Sequence, residues 1–146
     1  MINKELKEQI KKQYPNAIFP APFAQMFGIN FINLNSGNAH VEVVVEENWT
    51  NPFGIAHGGF LFSLLDETLG SAACSVLNEP IYKDVKTLST TNHDIFFHSP
   101  AKPNDKLIIK AQVISSRKNM IFVEGNIKQE DGTLVAESKG IWFIKR

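Results

Sequence analysis

Two features between Asn51 and Asp66 suit chemistry on a carbonyl group. The first is the pair Gly58-Gly59, directly after His57, where the sequence changes to a helical period. Positions without side chains let a ligand approach the backbone N–H groups that the first turn of a helix leaves without acceptors. Those amides, with the positive end of the helix dipole, favour an oxygen bearing negative charge. The pair could also serve only as a tight turn from loop to helix. The second feature is Asp66, in the middle of an otherwise apolar helical run. An ionised carboxylate there needs partners to offset its desolvation. Glu67 is adjacent and could be the functional acid instead, with the other one facing solvent.

Asp66 follows Gly59 by seven residues, two helical turns, and so projects from nearly the same face about 10 Å along the axis. A single carbonyl cannot touch both groups on one helix. Two copies packed with these helices side by side and antiparallel would bring the glycine end of one near Asp66 of the other. The site would then be shared between chains, and activity would depend on dimerisation.

Other candidate groups are weaker. His57 invites a role in proton transfer, but a histidine in such a place more often orders its loop by hydrogen bonding. His40, His93 and His98 fall on separate predicted strands without ligand spacing, so no metal and no cofactor are assigned. Cys74 is the single cysteine, which excludes an intramolecular disulfide and a thiolate zinc cage. It reads as a small buried residue, and the absence of paired cysteines makes the cytoplasm the expected compartment.

The elements that must position these groups are legible from period and punctuation. Gly28 to Leu34 and Ala39 to Glu46 read as strands around a turn at Asn35-Ser36-Gly37-Asn38. In the second, Val41, Val43 and Val45 alternate with His40, Glu42, Val44 and Glu46, the pattern of a half-buried strand. Asn48 to Ala56 is loop, broken by Asn51-Pro52 and Gly54. From Gly58, Phe62, Leu65, Leu69, Ala72 or Ala73 and Val76 recur at three- and four-residue steps over about five turns. Leu61, Leu64 and Cys74 occupy the opposite face, so the helix is apolar nearly all round and belongs inside a domain.

Four strand-like runs follow: Thr87 to Phe97, Lys106 to Ser116, Asn119 to Gln129 and Leu134 to Ile144. Arg117-Lys118 and Glu130 to Thr133 are hairpin-length joints, so the last three strands should form an antiparallel meander. The run Pro100 to Asp105, with two prolines, is an ordered loop. An α+β architecture results: one long antiparallel β-sheet of five or six strands wrapped around one central α-helix. Such a sheet leaves an edge and part of a face uncovered, so a homodimer or a dimer-of-dimers homotetramer is expected.

At 146 residues and 43% hydrophobic content the chain fits one domain, residues 1-146, with 1-22 as an N-terminal helix and Pro-rich lead-in. Leu6, Ile10 and Tyr14 make one narrow apolar stripe ended by Pro15, the mark of an edge or lid helix and not of a secretory signal or membrane anchor. The 15 basic residues balance the 15 acidic ones, and no basic cluster exceeds Arg117-Lys118, which argues against nucleic acid. The longest apolar run, Phe60 to Leu77, is interrupted by Asp66-Glu67 and does not read as a membrane span.

The string Asn51-Pro52-Phe53-Gly54-Ile55-Ala56-His57-Gly58-Gly59, with Asp66 seven residues on and Ser99-Pro100-Ala101 later, resembles the signature of hotdog-fold acyl-CoA thioesterases of the phenylacetate-pathway (PaaI-like) type. The resemblance spans residues 25 to 145. It implies hydrolysis of an acyl- or aryl-CoA thioester to free acid and coenzyme A, with the Gly58 amide and the Asn51 side-chain amide polarising the carbonyl. Asp66 of the partner would be general base or nucleophile, and Thr90 would orient the water. Arg117, Lys118 and Lys102, with Lys106, are candidates for the coenzyme A phosphates, and solvated surface charge is the competing account. Gly59 is grouped with the substrate-binding residues. Two alternatives share the fold: a non-catalytic acyl-CoA sensor, which has little need for Asp66, and a dehydratase or hydratase, which would place a histidine outside a His-Gly-Gly context.

Overall fold

The computed structural model describes residues 4–13, 18–77 and 84–146. Expectations resting on the Leu6 side chain, Tyr14 and Pro15 fall outside the described residues. In chain order the elements are α1 (Lys4–Gln13), α2 (Pro22–Met26), β1 (Asn30–Asn35), β2 (Asn38–Val44), a 3-10 turn (Glu47–Trp49), α3 (Gly58–Ser75), β3 (Thr87–Phe97), β4 (Lys106–Arg117), β5 (Met120–Gln129) and β6 (Leu134–Lys145). The six strands form one antiparallel sheet in the order β1-β2-β4-β5-β6-β3, with α3 packed across it. This is the hotdog fold.

Alternation of side chains does most of the positioning. On β2, Val41 and Val43 are buried, as is Val45 just beyond it, while Glu42 and Val44 point away. The β1–β2 joint is a two-residue turn in which Ser36 and Gly37 both take positive φ, 43° and 82°. That geometry matches the twist of a tight hairpin. Gly37 is also constrained by space, since a Cβ there would stand 3.1 Å from Val113 and from Val76. Its N–H donates to Ser75 Oγ at 2.8 Å and so ties the hairpin to the last turn of α3.

Helix α3 packs more one-sidedly than its composition suggests. Phe60, Leu61, Leu64, Leu65, Thr68, Leu69, Ala72 and Ala73 are buried against the sheet. Leu61 and Leu64 therefore join the buried face, and Phe62, expected in the buried stripe, is exposed. The stripe away from the sheet carries Phe62, Ser63, Asp66, Glu67, Gly70, Ser71 and Cys74, all exposed or half-buried. It is short-sided and polar except for Phe62.

Close approach between α3 and the sheet depends on Gly125 of β5. A Cβ on that residue would meet Leu69 Cδ1 at 2.6 Å and the Lys110 carbonyl at 2.7 Å. Among the described residues, strand β3 pairs only with β6, so its 11 residues form one edge of the sheet. Among the described residues, no helix is long and apolar enough to cross a membrane.

Candidate active site

The loop before α3 is closed by its own backbone. Thr50 and Ala56 form an isolated antiparallel bridge, and His57 N–H donates to the Trp49 carbonyl at 2.7 Å. Trp49 in turn stacks on Phe60 and meets Phe27 edge-on. From the other side, Ala101, fully buried, accepts the Ala56 N–H at 2.8 Å, so the Pro100–Asp105 segment braces the loop from below. That segment is held in turn by Asn104 and Asp105, which bond to Val45.

Asn51 is fixed by an Asx turn. Its Oδ1 accepts the N–H of Phe53 at 2.9 Å and of Ile55 at 3.4 Å. Two donors converging on one side-chain atom define it as the oxygen, which leaves the Nδ2 group directed away from the turn and able to donate.

His57 is the N-cap of α3. Its Nδ1 accepts the Gly59 N–H at 2.8 Å. This occupies one of the orphan donors of the first turn, so the Gly59 amide is engaged within the chain. The Gly58 N–H has no hydrogen-bond partner among the described residues and remains open. The Phe97 ring lies over the Gly58 Cα, where an added Cβ would be 3.4 Å from its Cζ.

Two turns further along α3, Asp66 meets β3. Thr90 Oγ1 donates to Asp66 Oδ1 at 3.1 Å within the same chain. The ring of His93 stands at the same oxygen, with Nδ1 3.4 Å from Oδ1. The His93 side chain is 2% exposed and the Asp66 side chain 41%, so the carboxylate is open on one side and walled on the other. The His93 ring lowers the Asp66 pKa below the ordinary carboxylate value. Partial burial opposes that shift, and the Thr90 hydroxyl adds to the lowering. Glu67 is pushed the opposite way, by burial and then by the charge of Asp66.

Thr90 and His93 are three residues apart, an odd step that would put them on opposite faces of a regular strand. The register of β3 against β6 shifts between Thr90 and Asn92, and this bulge brings both side chains to Asp66. Strict alternation therefore misses His93. The only sequence signal for it was a histidine within a few residues of Thr90.

The basic candidates separate. Lys102 follows Ala101 directly and is exposed beside the Asn51–Gly58 loop. Arg117 and Lys118 lie at the opposite end of β4, roughly 35 Å of strand from Lys106. Lys106 Nζ is already paired with Glu42 at 2.9 Å and Glu130 at 3.6 Å, so it is not a free cation for phosphate.

An open amide at the helix N-terminus, an Asx-turn asparagine in the loop leading to it and a half-open carboxylate held by a hydroxyl thus stand along α3 and its lead-in on a hotdog fold. The chain belongs to the thioesterase superfamily, whose family model matches residues 53–136. It is 31% identical over 118 residues to a Saccharolobus solfataricus protein carrying an esterase name, covering 81% of this chain and 79% of that one. To human acyl-coenzyme A thioesterase 13 it is 27% identical over 120 residues, 80% and 81% of the two chains. Among solved structures it superposes on the E. coli PaaI protein from the phenylacetic acid degradation operon with a TM-score of 0.80, at 24% identity, covering 96% and 93%.

Proposed function

We propose that the protein hydrolyses acyl-CoA thioesters at a site shared between two chains. The observation that carries the reading is the division of labour along α3. The open Gly58 amide and the Thr90-held carboxylate of Asp66 lie on one rigid helix, too far apart for one carbonyl. An antiparallel partner helix resolves that separation. The unpaired β3 edge and the small, polar outer stripe of α3 are the surfaces such a partner would cover. The acyl-CoA substrate class rests on the name of the human relative and on the need of a thioester for these groups.

In this reading, the Gly58 N–H and Asn51 Nδ2 of one protomer donate to the thioester oxygen, where negative charge develops as the carbonyl carbon becomes tetrahedral. Such preorganised donors each contribute about 3 kcal/mol in favourable cases. Asp66 of the other protomer takes a proton from water as the water oxygen bonds to carbon. Thr90 and His93 meet only Oδ1, which leaves Oδ2 for that proton. Collapse of the intermediate breaks the carbon–sulfur bond, and the departing sulfur takes up the proton that Asp66 accepted. Lys102, beside the Asn51–Gly58 loop, is the cation best placed for a phosphate of the nucleotide.

Subunit complementation tests the shared site. Asp66→Asn and Asn51→Ala homodimers should each lose most thiol release. Unfolding and refolding them together should restore roughly a quarter of the wild-type sites, because half the dimers are hybrids with one intact site of two. No recovery in a mixture shown to contain hybrids would refute the division between chains.

A further inference from the structure

The His93 side chain is almost wholly buried, yet neither ring nitrogen has a hydrogen-bond partner among the described residues. A buried imidazole without partners is costly, so its surroundings call for an explanation. The ring is wedged between Phe62, with centroids 4.5 Å apart, and Trp142, at 5.9 Å. Trp142 is itself held in place over Gly140, the cross-strand neighbour of His93, where a Cβ would come within 2.5 Å of the indole. The aromatic walls fix the plane of the imidazole. The charged group beside it is Asp66, with Nδ1 3.4 Å from Oδ1, long and not aligned as a formed hydrogen bond.

We propose that His93 is a positioning residue for Asp66, its Nδ1–H turned toward Oδ1 so that it and Thr90 together hold one carboxylate oxygen and leave the other facing the attacking water. The inference rests on the site reading above. In its neutral form the ring has two tautomers. One directs Nδ1–H at the carboxylate and leaves only the Nε2 lone pair buried. The other sets the Nδ1 lone pair against a negative oxygen and buries an unsatisfied Nε2–H. Electrostatics selects the first. A shift of a few tenths of an ångström with a small reorientation of the carboxylate completes the bond, and catalytic hydrogen bonds that are long or poorly aligned commonly tighten in this way when substrate is bound.

The groups facing Asp66 are few. On α3 the titratable neighbour is Glu67, whose own charge is disfavoured by burial and by Asp66. Strand β3 supplies Thr90 and His93, and β6 turns Trp142, Gly140 and Ser138 inward. The inward faces of β2, β4 and β5 are apolar. His93 is thus the one basic side chain among the described residues that stands against this carboxylate.

Two measurements test the role. Ring 15N shifts of the wild-type protein at alkaline pH, with His93 assigned by its absence in His93→Leu, should show the Nδ1–H tautomer. An Nε2–H tautomer would overturn the proposal. In steady-state thiol release, His93→Leu keeps the ring's bulk but not its donor. It should lower kcat about ten-fold, with KM within about two-fold, and move the acid limb of the profile to higher pH. His93→Asn, whose amide can reach the position of Nδ1, should recover much of the loss. Wild-type kcat and an unmoved acid limb in His93→Leu, beside an inactive Asp66→Asn, would overturn the role of His93 alone. Full activity of Asp66→Asn would overturn the site reading and this inference with it.

Discussion

Replacing Thr90 by valine isolates one hydrogen bond in the site. Valine matches threonine in volume and strand preference, and the residue is exposed on an edge strand, so the fold should be unaffected. What is lost is the donor to Asp66 Oδ1 at 3.1 Å. A hydrogen bond to a charged acceptor contributes about 1.5–3 kcal/mol, and the half-open position of this carboxylate argues for the lower end. A loss of about 1.5 kcal/mol from the orientation of the base corresponds to roughly ten-fold in kcat. KM should change little, because the hydroxyl meets the carboxylate and not the substrate. The Thr90 contact also lowers the Asp66 pKa, so without it the carboxylate protonates at higher pH and the acid limb of kcat/KM moves upward. The assay is thiol release across a pH series, with Thr90→Ser as the variant that restores the donor. A Thr90→Val enzyme within two-fold of wild type, with an unmoved acid limb and no advantage for serine, would refute the claim that Thr90 orients the base.

Other substitutions probe neighbouring parts of the design. Asn51→Asp keeps the oxygen that accepts from Phe53 and Ile55 but removes the Nδ2 donor, so the loop should persist while kcat falls by about 100-fold; retained turnover would show that Asn51 only shapes the loop. His57→Ala removes the α3 cap and should cost about 1 kcal/mol in denaturant unfolding while leaving kcat within about ten-fold, a far larger kinetic loss pointing instead to proton transfer. Glu67→Gln should raise Tm at pH 7 by about 2 °C. The sign follows from a folded-state pKa raised above 4.5: the unfolded chain ionises first as pH rises, so the charge disfavours folding at neutral pH, and the gain should vanish well below pH 4.5. Gly125→Ala should cost 1–3 kcal/mol or about that much, read in urea unfolding, because its Cβ would strike Leu69 and the Lys110 backbone.

Much of the fold was legible because it depends on local periods. The valines of β2 alternate over water and core, and the change of period at Gly58 marks the start of α3 where the structure places it. The hairpin at Ser36-Gly37 and the meander β4-β5-β6 follow from turn residues between alternating runs. The bulge in β3 was not legible, since Thr90-Thr91-Asn92 carries no glycine or other marker of a lost register. The fate of the Gly59 amide also escaped composition, because it depends on the rotamer with which His57 folds back on the helix start.

The sequence by itself determined that a glycine-led helix start and a carboxylate two turns later occupy one helix, and hence that no single copy of that helix can bring both to one carbonyl. Helical rise is a property of the backbone, so that conclusion needs only the spacing of Gly59 and Asp66. Only the tertiary structure decided which groups surround the carboxylate and which amide stays open. Thr90 and His93 reach Asp66 because a strand distant in sequence bulges against β6 at the level of the mid-helix, and Gly58 remains free because His57 caps its neighbour. Such contacts arise from the register between separate elements, which the packing of the whole sheet sets and no local pattern records.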